Sequence, residues 1–318
     1  MLLLLVSVSV WVSVLVSVSV LVSVLVSVLV SVLVSVSWYR LNTNQSLGGG
    51  EQPESCAIPK VTRFNPNTRT PKLHYYQNKA NANIKYNKHN WVLIWDSNNR
   101  MPLVSYFRKH GDNWWQGYDD IAIPRGKEGF AIAAGVWLGG YGSGSAPTNV
   151  PSDSDFGGSC LQRGHLLSSK FLRTFVTIVH GAANCKADVL SVSDVQRNIL
   201  NIFPQYPSCN VGGAWDNLEK KYFDAANTCL QKGQNFEVSH VVIPSTGWVH
   251  PNNNIPLAGS VIVIYKCSDT TTWTCKKIIN MDNASGCNYA TTASATVCNQ
   301  YNNELNNIGV SLGQLQSI

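Results

Sequence analysis

Residues 162–166 read QRGHL, which sets an arginine, a glycine and a histidine side by side. If it lies in a strand, Arg163 and His165 share a face, because alternate residues do. Gly164 between them has no side chain, so a substrate backbone can come close. The planar guanidinium of arginine donates two parallel hydrogen bonds to a phosphate. Histidine is the side chain best suited to take a proton near neutral pH. The other six histidines, at 74, 89, 110, 180, 240 and 250, have no such neighbours and read as ordinary structural residues.

A second cluster follows in NIFPQ (201–205) and NVGGAWDNLE (210–219). The amide oxygen of Asn210 is a hard donor that suits Mg²⁺, which keeps several waters and takes few protein ligands. Glu219, one or two turns into the next helix, can accept hydrogen bonds from such waters. Each motif also has a simpler reading when taken alone. Arg163 and His165 could be a surface arginine and a satisfied histidine, and Asn210 a helix cap. Trp215 reads as core.

The elements that must position these residues are partly visible. WVLIWD (91–96) and PLVSYF (102–107), separated by the polar SNNR, predict a hairpin. Residues 130–140 read as a buried strand or short helix, and 142–158 as a loop. Trp215, Leu218, Tyr222, Ala226, Cys229 and Leu230 recur at helical spacing, so a helix is expected over 215–230, stopped by Gly233. Strands are expected at 236–244, 260–267 and 273–281, and a short helix in the tail after Tyr301. Residues 42–90, rich in Asn, Thr, Pro and Lys, read as largely irregular. Strands in runs with helices interspersed predict an α+β domain and not a βαβ repeat.

Residues 1–37 are of another kind. They contain only Met, Leu, Val, Ser and one Trp, with no charged side chain. Their alternation of Val with Ser or Leu has the period of a strand, yet the run is long enough to span a bilayer, where it would have to be helical. Three readings fit: an export signal, a retained anchor, or a translated simple repeat or wrongly chosen start ahead of the mature protein. None of them gives the run any chemistry. All 24 Lys and Arg and all 18 Asp and Glu lie beyond it, in 38–318, which is read as a single domain with an irregular N-terminal part to residue 90. The net charge of +6 fits a solvated surface, and equally an attraction for a polyanion.

The nine cysteines show no Cys-x-x-Cys or Cys/His metal spacing, which argues against zinc. Scattered cysteines suit disulfides made in an oxidising compartment. Sequons at Asn44 and Asn283 agree. Cys56 stands apart and is expected to be the odd one, and Cys267 and Cys275, flanking a Thr-rich stretch, are expected to close a hairpin disulfide.

QRGH (162–165), NIFPQ (201–205) and NVGGAWDNLE (210–219), in this order, resemble the DNA/RNA non-specific endonuclease family, the ββα-metal or His-Me finger nucleases that include mitochondrial endonuclease G. NNNIPLAGSVIVIYKC (252–267) is similar to a later family segment, and the resemblance covers roughly residues 90–270. It implies a central, mostly antiparallel sheet flanked by helices, with the histidine on a strand and the metal asparagine at the start of a helix. His165 then matches the general base, Asn210 the direct ligand of one Mg²⁺ (or Mn²⁺), and Glu219 the residue holding the metal's waters. Arg163 matches a phosphate-binding position, and Asn201 an asparagine that orders the site. The implied activity is hydrolysis of DNA and RNA to oligonucleotides with 5′-phosphates, while the cysteines and the run 1–37 lead to the expectation of a secreted or membrane-anchored protein.

The sequence departs from the family pattern twice. Gln162 stands where the family has Asp, and the spacing from Asn210 to Trp215 is one residue longer. Two other readings therefore stay open: an impaired relative that still binds nucleic acid, and a disulfide-rich secreted interaction protein.

Overall fold

The computed structural model describes residues 71–79, 89–111, 136–138, 146–147, 149–156, 161–168, 198–249 and 255–318. The run 1–37, the sequon at Asn44, the assignment of Cys56 and most of 130–140 lie outside these residues.

The strands in chain order are β1 (Leu73–Lys79), β2 (His89–Asp96), β3 (Met101–Lys109), β4 (Val136–Trp137), β5 (Gln162–His165), β6 (Ile202–Gln205), β7 (Phe236–Val249), β8 (Pro256–Cys267), β9 (Thr274–Ile279) and β10 (Asn288–Tyr289). Eight of them form one antiparallel sheet in the order β10-β9-β8-β7-β3-β2-β1-β4, and β5 pairs with β6 in a separate ribbon. The helices are α1 (Pro207–Asn210), α2 (Ala214–Gln231), α3 (Ser294–Asn307) and α4 (Leu312–Ser317). This is the α+β arrangement expected, a mostly antiparallel sheet flanked by helices.

The buried runs 91–95 in β2 and 261–264 in β8 are apolar without alternation, because both faces of the sheet are covered there. Alternation along β7 shows which helix covers which face. His240 faces α2, with its ring 6.1 Å from Trp215 and 5.7 Å from Tyr222. The neighbouring Ser239 faces α3 and accepts a 2.6 Å hydrogen bond from the Tyr301 hydroxyl. On that same side Glu237 accepts from Tyr106 at 2.9 Å and from Gln316 of α4 at 2.8 Å. The buried stripe of α2 is Trp215, Leu218, Tyr222, Ala226, Cys229 and Leu230. The helix stops where Gly233 takes φ +73°, a left-handed step that glycine makes without steric cost.

Three sequence expectations change. β1 lies inside the stretch read as irregular. Its His74, Tyr75, Tyr76 and Gln77 are all buried, so both faces are covered and no alternation marks it. The tail forms two helices instead of one, α3 starting earlier than expected and α4 opening with a capping box at Ser311. Cys267 and Cys275 do not pair with each other: Cys267 bonds Cys229 of α2, and Cys275 bonds Cys298 of α3. The register explains this. Cys275 lies opposite Ile264, so it shares that residue's face, and Cys267 three residues on points to the other one.

Among the described residues, no helix is long and apolar enough to cross a membrane.

Candidate active site

The ribbon carries the first cluster. Gln162 pairs with Gln205, Arg163 with Pro204, Gly164 with Phe203 and His165 with Ile202. Arg163 and His165 therefore share one face of the ribbon, both half-buried. Phe203 anchors the ribbon on the α2 side of the sheet, edge-on to Trp215 at 6.3 Å. Trp215 is fully buried core. Gly164 has a use the sequence did not reveal. A Cβ there would lie 2.2 Å from Gln205 Oε1, so the missing side chain makes room for Gln205 and not for a substrate.

Asn201 grips the chain just beyond His165. Leu167 N–H donates to its Oδ1 at 2.8 Å, and its Nδ2 donates back to the Leu167 carbonyl at 3.0 Å. Its backbone carbonyl accepts from Leu166 N–H at 2.8 Å. The residue is wholly buried, and each end of its amide is engaged. Its geometry suits holding the end of β5 in place, not touching a substrate.

One residue further, Ser168 lies against Tyr222 of α2. Burial raises the Tyr222 pKa well above the ordinary phenol value, the Glu219 carboxylate raises it further, and Ser168 works in the opposite direction. Glu219 is half-buried in the second turn of α2, three residues before Tyr222, the residue that Ser168 meets.

Asn210 ends the four-residue helix α1, which Pro207 opens at a position that needs no N–H. Its Nδ2 donates to Gln162 Oε1 at 2.9 Å. The second cluster is therefore bonded to the first residue of the strand that ends in His165. Gln162 and His165 are three residues apart, roughly 10 Å of extended chain. α1 is held from its other side by the Cys209–Cys287 disulfide and by Ser208 Oγ, which donates to the Ala284 carbonyl at 2.9 Å. Asn283 of the second sequon lies exposed on that same turn.

The extra residue after Asn210 is taken up in a tight turn. Val211 points outward, 68% exposed. Gly212 has φ +73°, and a Cβ on Gly213 would lie 2.4 Å from the Ser208 carbonyl oxygen. The glycines thus let α2 start directly against α1, with Trp215 in the core. Asp216 in the first turn of α2 suits the positive end of the helix dipole and pairs with Lys220 at 2.9 Å.

Among the described residues no group of three or more His, Cys, Asp or Glu could hold a metal. The donors at hand are of another type. With Nδ2 engaged by Gln162, the Asn210 side chain has Oδ1 left to offer, which accepts no hydrogen bond among the described residues. A single amide oxygen with a carboxylate on the next helix fits a hard cation that keeps most of its waters.

The sequence did not reveal Gln205 over Gly164, or the disulfide beside Asn210. The position of Cys209, next to the expected ligand, was the only signal for the latter.

A comparison with curated proteins gives no match. The match to family descriptions is extensive: residues 69–317, all but the N-terminal part of the chain, fit the DNA/RNA non-specific endonuclease description. With the antiparallel sheet, the β5–β6 ribbon and the helix that follows it, this places the chain in the DNA/RNA non-specific endonuclease family, whose members hydrolyse nucleic acids and generally depend on a divalent metal.

Proposed function

We propose that this protein is a secreted, Mg²⁺-dependent endonuclease that cuts DNA and RNA to oligonucleotides with 5′-phosphates. The observation that carries the reading is the Asn210–Gln162 hydrogen bond. It joins segments 48 residues apart and brings the expected metal ligand to the strand bearing Arg163 and His165.

The chain's own residues divide the work. His165 takes the proton of the attacking water, Arg163 holds the phosphate and meets the charge that grows on its oxygens, and Glu219 accepts hydrogen bonds from the waters around the cation. Asn210 is the residue that would hold Mg²⁺, which when bound would supply positive charge at the phosphoryl group. Asn201 keeps the end of β5 in place through Leu167. Contacts of this kind address the sugar-phosphate backbone, which carries little sequence information, in keeping with activity on both nucleic acids. Disulfides in the described domain support export.

Incubation with plasmid DNA and with RNA tests this reading. Cleavage of both is expected with Mg²⁺ and none with EDTA, and the products should be substrates for a ligase that requires 5′-phosphates. Salt-sensitive binding without cleavage would assign the chain to an impaired relative instead.

A further inference from the structure

An asparagine serves a cation only when its amide presents oxygen. The two ends of the group have the same shape and opposite polarity, Oδ1 accepting and Nδ2 donating. The torsion that exchanges them is soft, so the choice between ligand and repeller is made by whatever the amide touches. For Asn210 that contact is Gln162 Oε1, 2.9 Å from Nδ2.

The backbone of Asn210 is fixed separately. Its N–H bonds the Tyr206 carbonyl at 3.0 Å, and the preceding residue is tied to Cys287. The side-chain amide is then the remaining freedom, and the bond to Gln162 limits it to two orientations. Reversing both amides would turn Oδ1 toward Gln162 Nε2 and leave an NH₂ facing the cation, which electrostatics forbids once the cation is bound. The cation therefore selects between two orientations that bond equally well, and the bond to Gln162 then holds the one that presents Oδ1.

We propose that Gln162 is the positioning residue for the metal ligand Asn210, and that it does with a neutral acceptor what a carboxylate could do with a charged one. The proposal rests on the reading of Asn210 as ligand. It follows that the acceptor oxygen at 162, and not a negative charge, is what the site requires. A charge there would act in addition, by attracting the cation.

Calorimetric titration of Mn²⁺ into the metal-free full chain, alongside DNA cleavage against metal concentration, tests this. Gln162→Leu removes the acceptor and should weaken Mn²⁺ binding about tenfold, at the low end for partners that orient a metal ligand. The loss should appear in the metal concentration for half-maximal rate more than in the maximal rate. Gln162→Glu keeps an acceptor at the same reach, adds charge, and should bind Mn²⁺ at least as tightly as the parent. Parent-like Mn²⁺ binding by Gln162→Leu, or weakened binding by Gln162→Glu, would overturn the proposal. If the parent binds Mn²⁺ with this pattern of variants but cuts nothing, the positioning role stands and the nuclease reading fails. If Asn210→Ala binds Mn²⁺ as the parent does, the ligand assignment fails and the proposal with it.

Discussion

His240 illustrates how burial fixes the state of a single side chain. It sits under α2 against Trp215 and Tyr222, wholly enclosed. Burial pushes its pKa down to about 3, with the neighbouring Ser105 backbone opposing the shift. The unfolded chain takes up a proton there below about pH 6.5, and the folded one only below about 3. Stability is therefore fully present above the unfolded value, falls as pH drops through that window by about 1.4 kcal/mol per unit, and levels off below the folded value. Denaturant unfolding at pH 7, 5.5 and 4.5 should show this loss, and His240→Met should flatten the profile. An equally steep profile in the variant would remove His240 as the cause. At this scale the sequence displayed the residue types of the candidate site, since Arg163, His165, Asn201, Asn210 and Glu219 all stand in recognisable strings. It did not display the partners that fix them. The bonds from Asn201 to Leu167 and from Asn210 to Gln162 cross 34 and 48 residues, and no local pattern encodes such a crossing.

The elements differ in how openly their residues announce them. α2 has one apolar stripe and a glycine stop, and its observed limits agree with the expected ones to within a residue. β1 has no stripe because both its faces are buried, and it went unseen. The turn between α1 and α2 was visible as two glycines, but its purpose was not. Gly213 lies so close to Ser208 that any side chain must push α1 and α2 apart. Gly213→Ala should therefore lower stability by about 1–3 kcal/mol, the usual cost of overpacking, and raise the Mg²⁺ needed for half-maximal cleavage, because Asn210 moves with α1. Thermal melts and metal titrations of the rate check both effects, and a parent-like melting temperature would show that the turn yields without cost. The Cys209–Cys287 bond acts on the same segment, closing a separation of 78 residues. Cross-links of such length contribute about 2–4 kcal/mol, so Cys287→Ser should lower the melting temperature by several degrees. A melting temperature equal to the parent's would deny the bond any part in stability.

Across the whole domain, the two faces of the sheet carry different parts. α3 and α4 cover one face with a buried network through Glu237, Ser239 and Tyr301, while α2 and the ribbon carry the candidate site residues on the other. The α+β class was legible because strands and helices come in separate runs. The division of faces was not, because it depends on which residue of each strand points where. The family match begins at residue 69 and β1 at residue 73, both well after the uncharged run 1–37. A protein starting at residue 39 and produced in an oxidising compartment should thus cut DNA as the full chain does. A soluble, folded but inactive product, beside an active full chain, would assign the run a part in activity.

The central claim is that His165 is the base in a metal-dependent phosphodiesterase site, and the rate and DNA affinity of His165→Ala test it most directly. The rate at saturating Mg²⁺ should fall by about 10²–10⁴-fold, the usual worth of a positioned general base, with DNA affinity nearly unchanged. A His165→Ala protein that cuts at the parent rate would contradict the account.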